Sequence, residues 1–206
     1  ARDSKTGELG VAVQSKFVAV GSVVPYAKAG VGAIASQAWG NPRYGPIGLE
    51  LLASGKSAME AVDLMTSADP HRDSRQLAII GIEGNASVFT GSECLEWAGG
   101  KQGVNYAVQG NILTGSKVIE AMGKAFEDTN GTLAERMIAS LHAGQKAGGD
   151  KRGKQSAALL VVREGWGYGG LTDRFRDLRV DDHPSPIKEL ERIYYIHRKI
   201  FPRPDQ

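Results

Sequence analysis

Nucleophilic and amide-bearing side chains gather at a few points of this chain. Gln14-Ser15-Lys16 places an amide, a hydroxyl and an ammonium in succession after an apolar run. A desolvated lysine beside a hydroxyl can take its proton and make it a nucleophile; a solvated strand end would have the same composition. In Ser36-Gln37-Ala38-Trp39-Gly40-Asn41-Pro42, Gln37 and Asn41 flank an indole in a glycine-containing loop. Such a loop can present N–H groups to an oxyanion, or merely join a strand to a helix. Gln109-Gly110-Asn111 sets two amides around a residue without Cβ, where a ligand can approach the backbone and be held by directional hydrogen bonds. A β-bulge closed by its own amides would look the same. The densest polar cluster is Gly148-Gly149-Asp150-Lys151-Arg152-Gly153-Lys154-Gln155-Ser156. There Asp150 can orient an amine and Ser156 can relay a proton; a charged surface loop is the alternative. The spacing of a phosphate-binding loop is absent from it.

Cys94 is the lone cysteine. It is either a nucleophile or, as is more usual, a buried inert thiol. Asp181-Asp182-His183 has metal-ligand residue types, but three successive strand residues cannot all face one ion, so capping and surface roles are expected and no metal or cofactor is assigned. His71, His142 and His197 stand alone and are given no chemistry.

The elements that must position these groups follow from periodicity and punctuation. Leu9 to Gln14, Phe17 to Pro25 and Val31 to Gln37 read as strands. Gly45 to Ala53 reads as a helix with Ile47, Leu51 and Leu52 inward. Ser57-Ala58-Met59-Glu60 is a capping box opening a second helix through Met59, Val62, Leu64 and Met65, stopped by Asp69-Pro70. Gln76 to Ile82 and Ser87 to Thr90 form a hairpin around Gly84, and Tyr106 to Asn111 a further strand or strand end. Helices are expected over Ser116 to Asp128 and, from a second capping box Thr132-Leu133-Ala134-Glu135, to near Gly148. Ser156 to Val162 is the plainest core strand. Phe175 to Val180 follows with its charges alternating outward, and a last helix opens at Ser185-Pro186. Blocks of strands separated by paired helices fit an α+β fold: a four-layer αββα sandwich of two mainly antiparallel sheets. The polar turn Ala1 to Glu8 leads into a strand with no visible first arm, so a β-strand upstream of Ala1 is expected to be lacking from the single domain 1–206.

Composition excludes several classes. The 206 residues are 41% hydrophobic and 23% charged, and 25 basic against 23 acidic residues leave +2, with the bases scattered. No nucleic-acid footprint, membrane span or polybasic anchor results, so a small or neutral partner and a cytoplasmic location are expected. A single cysteine suits a reducing compartment. The 27 glycines, about twice the usual ~7% share, imply tight turns and close backbone approaches. An apolar final helix and many small residues point to a homo-oligomer.

Several stretches resemble a known family. They are Thr6-Gly7-Glu8-Leu9-Gly10-Val11-Ala12-Val13-Gln14-Ser15-Lys16-Phe17, Gly30-Val31-Gly32-Ala33, Tyr44-Gly45-Pro46, Ala107-Val108-Gln109-Gly110-Asn111, Gly148-Gly149-Asp150, Gln155 to Val162 and Val180-Asp181-Asp182-His183-Pro184. The resemblance is to a bacterial family of uncharacterised proteins assigned to the Ntn-hydrolase superfamily, and it spans the whole chain. It implies an αββα sandwich and an N-terminal Thr, Ser or Cys serving as nucleophile, with its own α-amine as base; such an amine titrates near ~8. Ala1 carries no such side chain. Members of the family carry several residues before the corresponding Ala-Arg-Asp, a hydroxyl residue among them. By the same resemblance Gln14, Ser15 and Lys16 border the site, and Asp150 and Ser156 hold the amine.

The expected activity is hydrolysis of a small amide or peptide-like substrate by a hydroxyl upstream of Ala1. Lys16, Asp150 and Ser156 would tune the amine, and Gln14, Ser15, Gln37, Asn41, Gln109, Gly110 and Asn111 would bind substrate. The rival expectation is a catalytically silent protein of the same fold that binds a peptide or cell-wall fragment.

Overall fold

Runs of apolar and β-branched residues pair as antiparallel strands, and capped amphipathic segments form the helices that cover them. The computed structural model describes residues 1–205. In chain order the elements are β1 (Leu9–Ser15), β2 (Pro25–Lys28), β3 (Gly32–Ala38), α1 (Tyr44–Ala53), α2 (Ala58–Ser67), β4 (Arg75–Gly81), β5 (Ala86–Thr90), β6 (Gly99–Gly103), β7 (Tyr106–Gly110), α3 (Lys117–Asp128), α4 (Leu133–Lys146), β8 (Ser156–Val162), β9 (Arg174–Val180) and α5 (Pro186–Ile200). The fold is mixed α+β with antiparallel sheets, ordered β1-β8-β9, β2-β3-β4-β5 and β6-β7. Among the described residues, no helix is long and apolar enough to cross a membrane.

Apolar contacts decide how these pieces stack. Leu9, Val11, Leu160 and Val162 of β1 and β8 meet Ala33 and Ile80 of β3 and β4, so two sheets share a core. The other face of β8 and β9 carries Leu159, Val161 and Leu178 against Met137, Ile138 and Leu190 of α4 and α5. The other face of β3 and β4 carries Ile34, Leu77 and Ile79 against Val62 and Met65 of α2. Full burial of each such side chain contributes about 1.5–3 kcal/mol.

Several sequence expectations are corrected. Phe17 to Pro25 is not a strand: Ala19 adopts φ 53°, a 3-10 turn covers Val20–Ser22, and only Pro25–Lys28 pairs. The Val20 amide there donates to Ser156 Oγ at 3.1 Å, so it has left any ladder. On α1, Ile47 faces outward, because the helix packs through glycines. A Cβ on Gly45 would lie 2.2 Å from the Tyr26 ring and one on Gly48 2.5 Å from Ile34 Cδ1. Met59 and Leu64 of α2 are likewise exposed. Arg176 does not point outward with its neighbours. It is 2% exposed, stacks on Phe175 and donates to the Phe201 carbonyl at 2.8 Å, because the end of α5 folds over it. Ser185 provides no side-chain cap for α5. The turn before β1 has the beginning of a first arm: Arg2 bridges Leu9, and the Gly10 amide donates to the Ala1 carbonyl at 2.9 Å. Strand β6 was not expected at all.

Both capping boxes form as read, at Ser57 with Glu60 and at Thr132 with Glu135. The second does more than end a helix: Thr132 Oγ1 lies 3.0 Å from the Tyr194 hydroxyl and Glu135 pairs with Arg198, so the start of α4 fastens α5. Replacing Thr132 by Ala is expected to cost about 1–2 kcal/mol, read from urea unfolding midpoints. A loss below half that value would show that the Tyr194 contact adds nothing to the cap.

Candidate active site

Two adjoining cavities meet at the end of β1. The first is a slot. Every residue from Gly10 to Ser15 lines one side of it and every residue from Tyr106 to Asn111 the other. A strand presenting a face would contribute alternate residues, so consecutive lining means that the slot runs between two strand edges. Among the described residues, β1 pairs with β8 and β7 with β6, and no strand pairs with the edges that face each other. Ala33, Ala35 and Ile80 of the facing sheet close one wall, and Val118, Met122 and Met137 of α3 and α4 the opposite one. At the closed end, Ala1 and Arg2 already occupy the strand position, with the Arg2 amide donating to the Asn105 carbonyl at 2.9 Å.

At its far end the slot opens into a surface cleft of about 680 Å³. Gln14, Ser15, Gln37, Asn111 and Arg152 border both spaces. Gln76, fully buried on β4, organises this junction. Its Nε2 donates to the carbonyl of Gly110 at 2.8 Å and lies near Gly99 O at 3.2 Å and Thr90 Oγ1 at 3.0 Å. Its Oε1 accepts from Gln37 Nε2 at 2.8 Å and Asn111 Nδ2 at 3.2 Å. Each of those two donors keeps a second N–H. Three buried amide atoms on the slot wall have no hydrogen-bond partner: Gln14 Nε2, Gln109 Oε1 and Gln145 Oε1. Buried polar atoms without partners cost about 1–3 kcal/mol each, so this wall is built for a polar occupant.

The remaining sequence candidates divide. Gly110 lines the slot and gives its carbonyl to Gln76, and Gln109 Nε2 donates to Ala35 O at 3.1 Å. Asp150 stands at the slot's end in a two-pronged pair with Arg152, at 3.0 and 2.7 Å. Lys16 is exposed and lines neither cavity. Ser156 is fully buried, accepts from Val20 N and donates to Phe17 O, which fastens the loop after β1 instead of facing the cleft. Asn41 also faces away from both cavities: its Nδ2 donates to Asp69 Oδ2 at 3.1 Å and its Oδ1 accepts from Arg43 N.

Asp69 is a hub that the residue types alone did not reveal. Besides Asn41 it accepts from Tyr44 OH at 2.9 Å, Arg75 Nε at 3.0 Å and His71 N at 2.9 Å. Burial acts against its charge, yet these bonds from His71, Arg75, Asn41 and Tyr44 hold its carboxyl well below the usual carboxylate range. Arg75 in turn donates to the Trp39 carbonyl. Cys94 is buried, donates to the Arg75 carbonyl at 3.2 Å and has its thiol pushed up by burial, an inert setting. No hydroxyl or thiol among the described residues is hydrogen-bonded to a histidine ring, and no group of three or more His, Cys, Asp and Glu there could hold a metal.

With this geometry in view, the comparisons place the chain. It belongs to a family of unknown function, DUF1028, whose model matches residues 1–190. Membership in an uncharacterised family, expected from the motifs, holds. Among solved structures it is similar to protein SPO2555 from Silicibacter pomeroyi, also of DUF1028, at 34% identity and a TM-score of 0.89, over 96% of this chain and 84% of that one. No curated protein matches.

Two measurements probe the two ends of the slot. Gln76→Leu strands the Gln37 and Asn111 amides and the Gly110 carbonyl, and is expected to cost about 2–4 kcal/mol in urea unfolding; a loss under about 1 kcal/mol would contradict its role. The second concerns the closed end in a chain that begins at Ala1, whose amino group then donates to Gly10 O at 2.8 Å. Burial, and secondarily Arg136, lowers it from 8.0 to about 5. Between those values the unfolded chain binds a proton that the folded chain does not, so stability rises with pH. A chain beginning at Ala1 is expected to gain stability from pH 5 to pH 8 and lose it as pH falls, and N-terminal acetylation is expected to flatten that part of the profile. Identical profiles with and without the acetyl group would refute this.

Proposed function

We propose that this protein is an amide hydrolase of the Ntn type, acting on a small amide or peptide-like substrate. Its nucleophile is a hydroxyl on a segment preceding Ala1 that lies in the slot as a strand. The observation that carries the reading is the slot itself, a strand-wide space between two unpaired edges that ends at a cluster of amides. Ala1 and Arg2 set the register: they sit opposite Gly10 and Leu9. A strand continuing that antiparallel pairing passes Val11 to Val13 and brings a residue opposite Ser15, where slot and cleft join. The stacking of α2 on β3 and β4, of those on β1 and β8, and of α4 and α5 beyond fits the four-layer αββα sandwich of that superfamily.

The chemistry follows from the groups at the junction. The hydroxyl attacks the substrate carbonyl carbon while the free α-amine of the same residue takes its proton. The negative oxygen that forms is met by N–H donors held in place beforehand, with Gln14 Nε2 as the unpaired one and Asn111 Nδ2 beside it. The α-amine then gives the proton to the departing amine, and water cleaves the acyl-enzyme ester, releasing the acid and restoring the hydroxyl. The Asp150–Arg152 pair stands where the slot opens into the cleft.

A second reading, silent binding of a peptide or cell-wall fragment, rests on the same slot, whose unpartnered amides would hold an extended peptide without cleaving it. Full-length protein separates the two. Intact mass and N-terminal sequencing are expected to find a free hydroxyl residue, and a panel of amides and dipeptides at least one compound hydrolysed. Replacing that hydroxyl residue by Ala should lower the rate by about a thousandfold or more. A retained initiator methionine ahead of the hydroxyl, or no amide cleaved across the panel, would sink the enzyme reading.

A further inference from the structure

The cleft beyond the slot is lined by large apolar side chains that the fold leaves in water. Trp39 is 77% exposed, Leu95 67% and Phe17 50%, and they come from three separate loops. Val23, Pro42 and Ile112 complete the apolar wall. Exposed apolar residues scattered singly need no explanation, but a convergent set around one cavity marks a binding surface. Its volume of about 680 Å³ lies within the range of small-molecule sites.

The three lips are pinned from behind. Trp39 is exposed although its backbone is held at both ends: its amide donates to Ser74 O at 3.1 Å and its carbonyl accepts from Arg75, itself locked on buried Asp69. Phe17 is held through its carbonyl by buried Ser156. Leu95 accepts from the Ile112 amide at 2.9 Å. Two non-glycine residues of the cleft wall adopt left-handed backbone, Ala38 at φ 63° and Ile112 at φ 56°. That conformation is unusual for a β-branched residue and is kept where the surroundings enforce it, often at functional sites. The apolar side chains are thus presented ready-made.

Charge is nearly absent. Of the residues lining the cleft only Glu93 and Arg152 are ionic, and Arg152 is already neutralised by Asp150. The amide and hydroxyl residues lining the cleft are Gln14, Ser15, Ser36, Gln37, Ser74 and Asn111. We infer that the cleft is a specificity subsite for a neutral, peptide-like amide carrying one bulky apolar side chain, aromatic or branched, which packs among Phe17, Trp39 and Leu95 while its amide group lies at the Gln14–Asn111 junction. This assignment of substrate class rests on the hydrolase reading for what happens to the amide, but binding alone can test it.

Isothermal titration calorimetry of the full-length protein with N-acetyl-phenylalaninamide, N-acetyl-leucinamide, N-acetyl-alaninamide and N-acetyl-lysinamide gives that test, with release of ammonia or acetate followed separately. The phenylalanine and leucine amides are expected to bind at least about tenfold more tightly than the alanine amide, and the lysine amide no more tightly than alanine. Trp39→Ala, or Leu95→Ser should the first fail to fold, is expected to reduce the phenylalanine-over-alanine ratio to about threefold or less. Equal affinities, a preference for lysine, or binding of none of the four would overturn the subsite. Apolar preference in binding with no amide cleaved overturns the hydrolase and leaves the subsite standing. Cleavage of the alanine amide without apolar preference does the reverse.

Discussion

The carboxamide of Gln76 is the contact on which the rest of the site depends. It lies on β4 between Arg75 and an apolar run, has no exposed surface, and reaches to the carbonyl of Gly110 on β7. Strand β6 is polar and glycine-rich, while β7 buries Tyr106 and Val108 in the core beside Phe126 of α3; the Gln76 amide ties that same ribbon to β4. Through its oxygen the same group aims Gln37 and Asn111. Inside a protein such a bond is strong because the alternative is an unpaired polar atom in a medium that cannot solvate it. One side chain therefore both ties β7 to β4 and aims the donors at the slot's mouth.

The loops around the mouth follow the same logic. Asp69 and Arg75 form a buried ion pair whose remaining bonds hold Asn41, Tyr44 and the Trp39 carbonyl. An ion pair out of water gains stability only when its spare valences are filled, and here the loop itself fills them. Ser156 does the equivalent for the Phe17 loop from the core strand β8. Ser156, a catalytic candidate by type, and Asn41, a binding one, thus serve as fasteners, one layer behind the surface that could touch a ligand. Their value to function is positional: they keep exposed side chains in place without those side chains having to be buried.

Much of the fold was legible in the residues. Ser156 to Val162 and the two capping boxes announce themselves through local rules, and the slot-lining segments Gln14-Ser15 and Gln109-Gly110-Asn111 were singled out from residue type and spacing. What was not legible depended on distant partners. β6 contains Gly99, Gly100, Lys101, Gln102 and Gly103, with no strand-like alternation, and exists because β7 pairs with it. Phe17 to Pro25 is apolar enough for a strand, but the serine that redirects it lies 136 residues further on from Val20. Arg176 reads as an outward charge until the end of α5 covers it. Gln76 reads from sequence only as the first residue of an apolar strand; no local pattern tells that its amide will meet a glycine carbonyl brought near by tertiary folding.

The two strand borders that face each other across the slot have a further consequence, for the behaviour of the molecule in a crowd. Rows of open amide and carbonyl groups are adhesive toward any extended polypeptide, and proteins usually blunt them with charge, proline or a covering element. Here the rows from Gly10 to Ser15 and from Tyr106 to Gly110 carry no charged residue and no proline. Sheltering them between a helical layer and a second sheet restricts access to the open mouth, so until a strand pairs with them their guard against other chains is steric seclusion and not electrostatic repulsion.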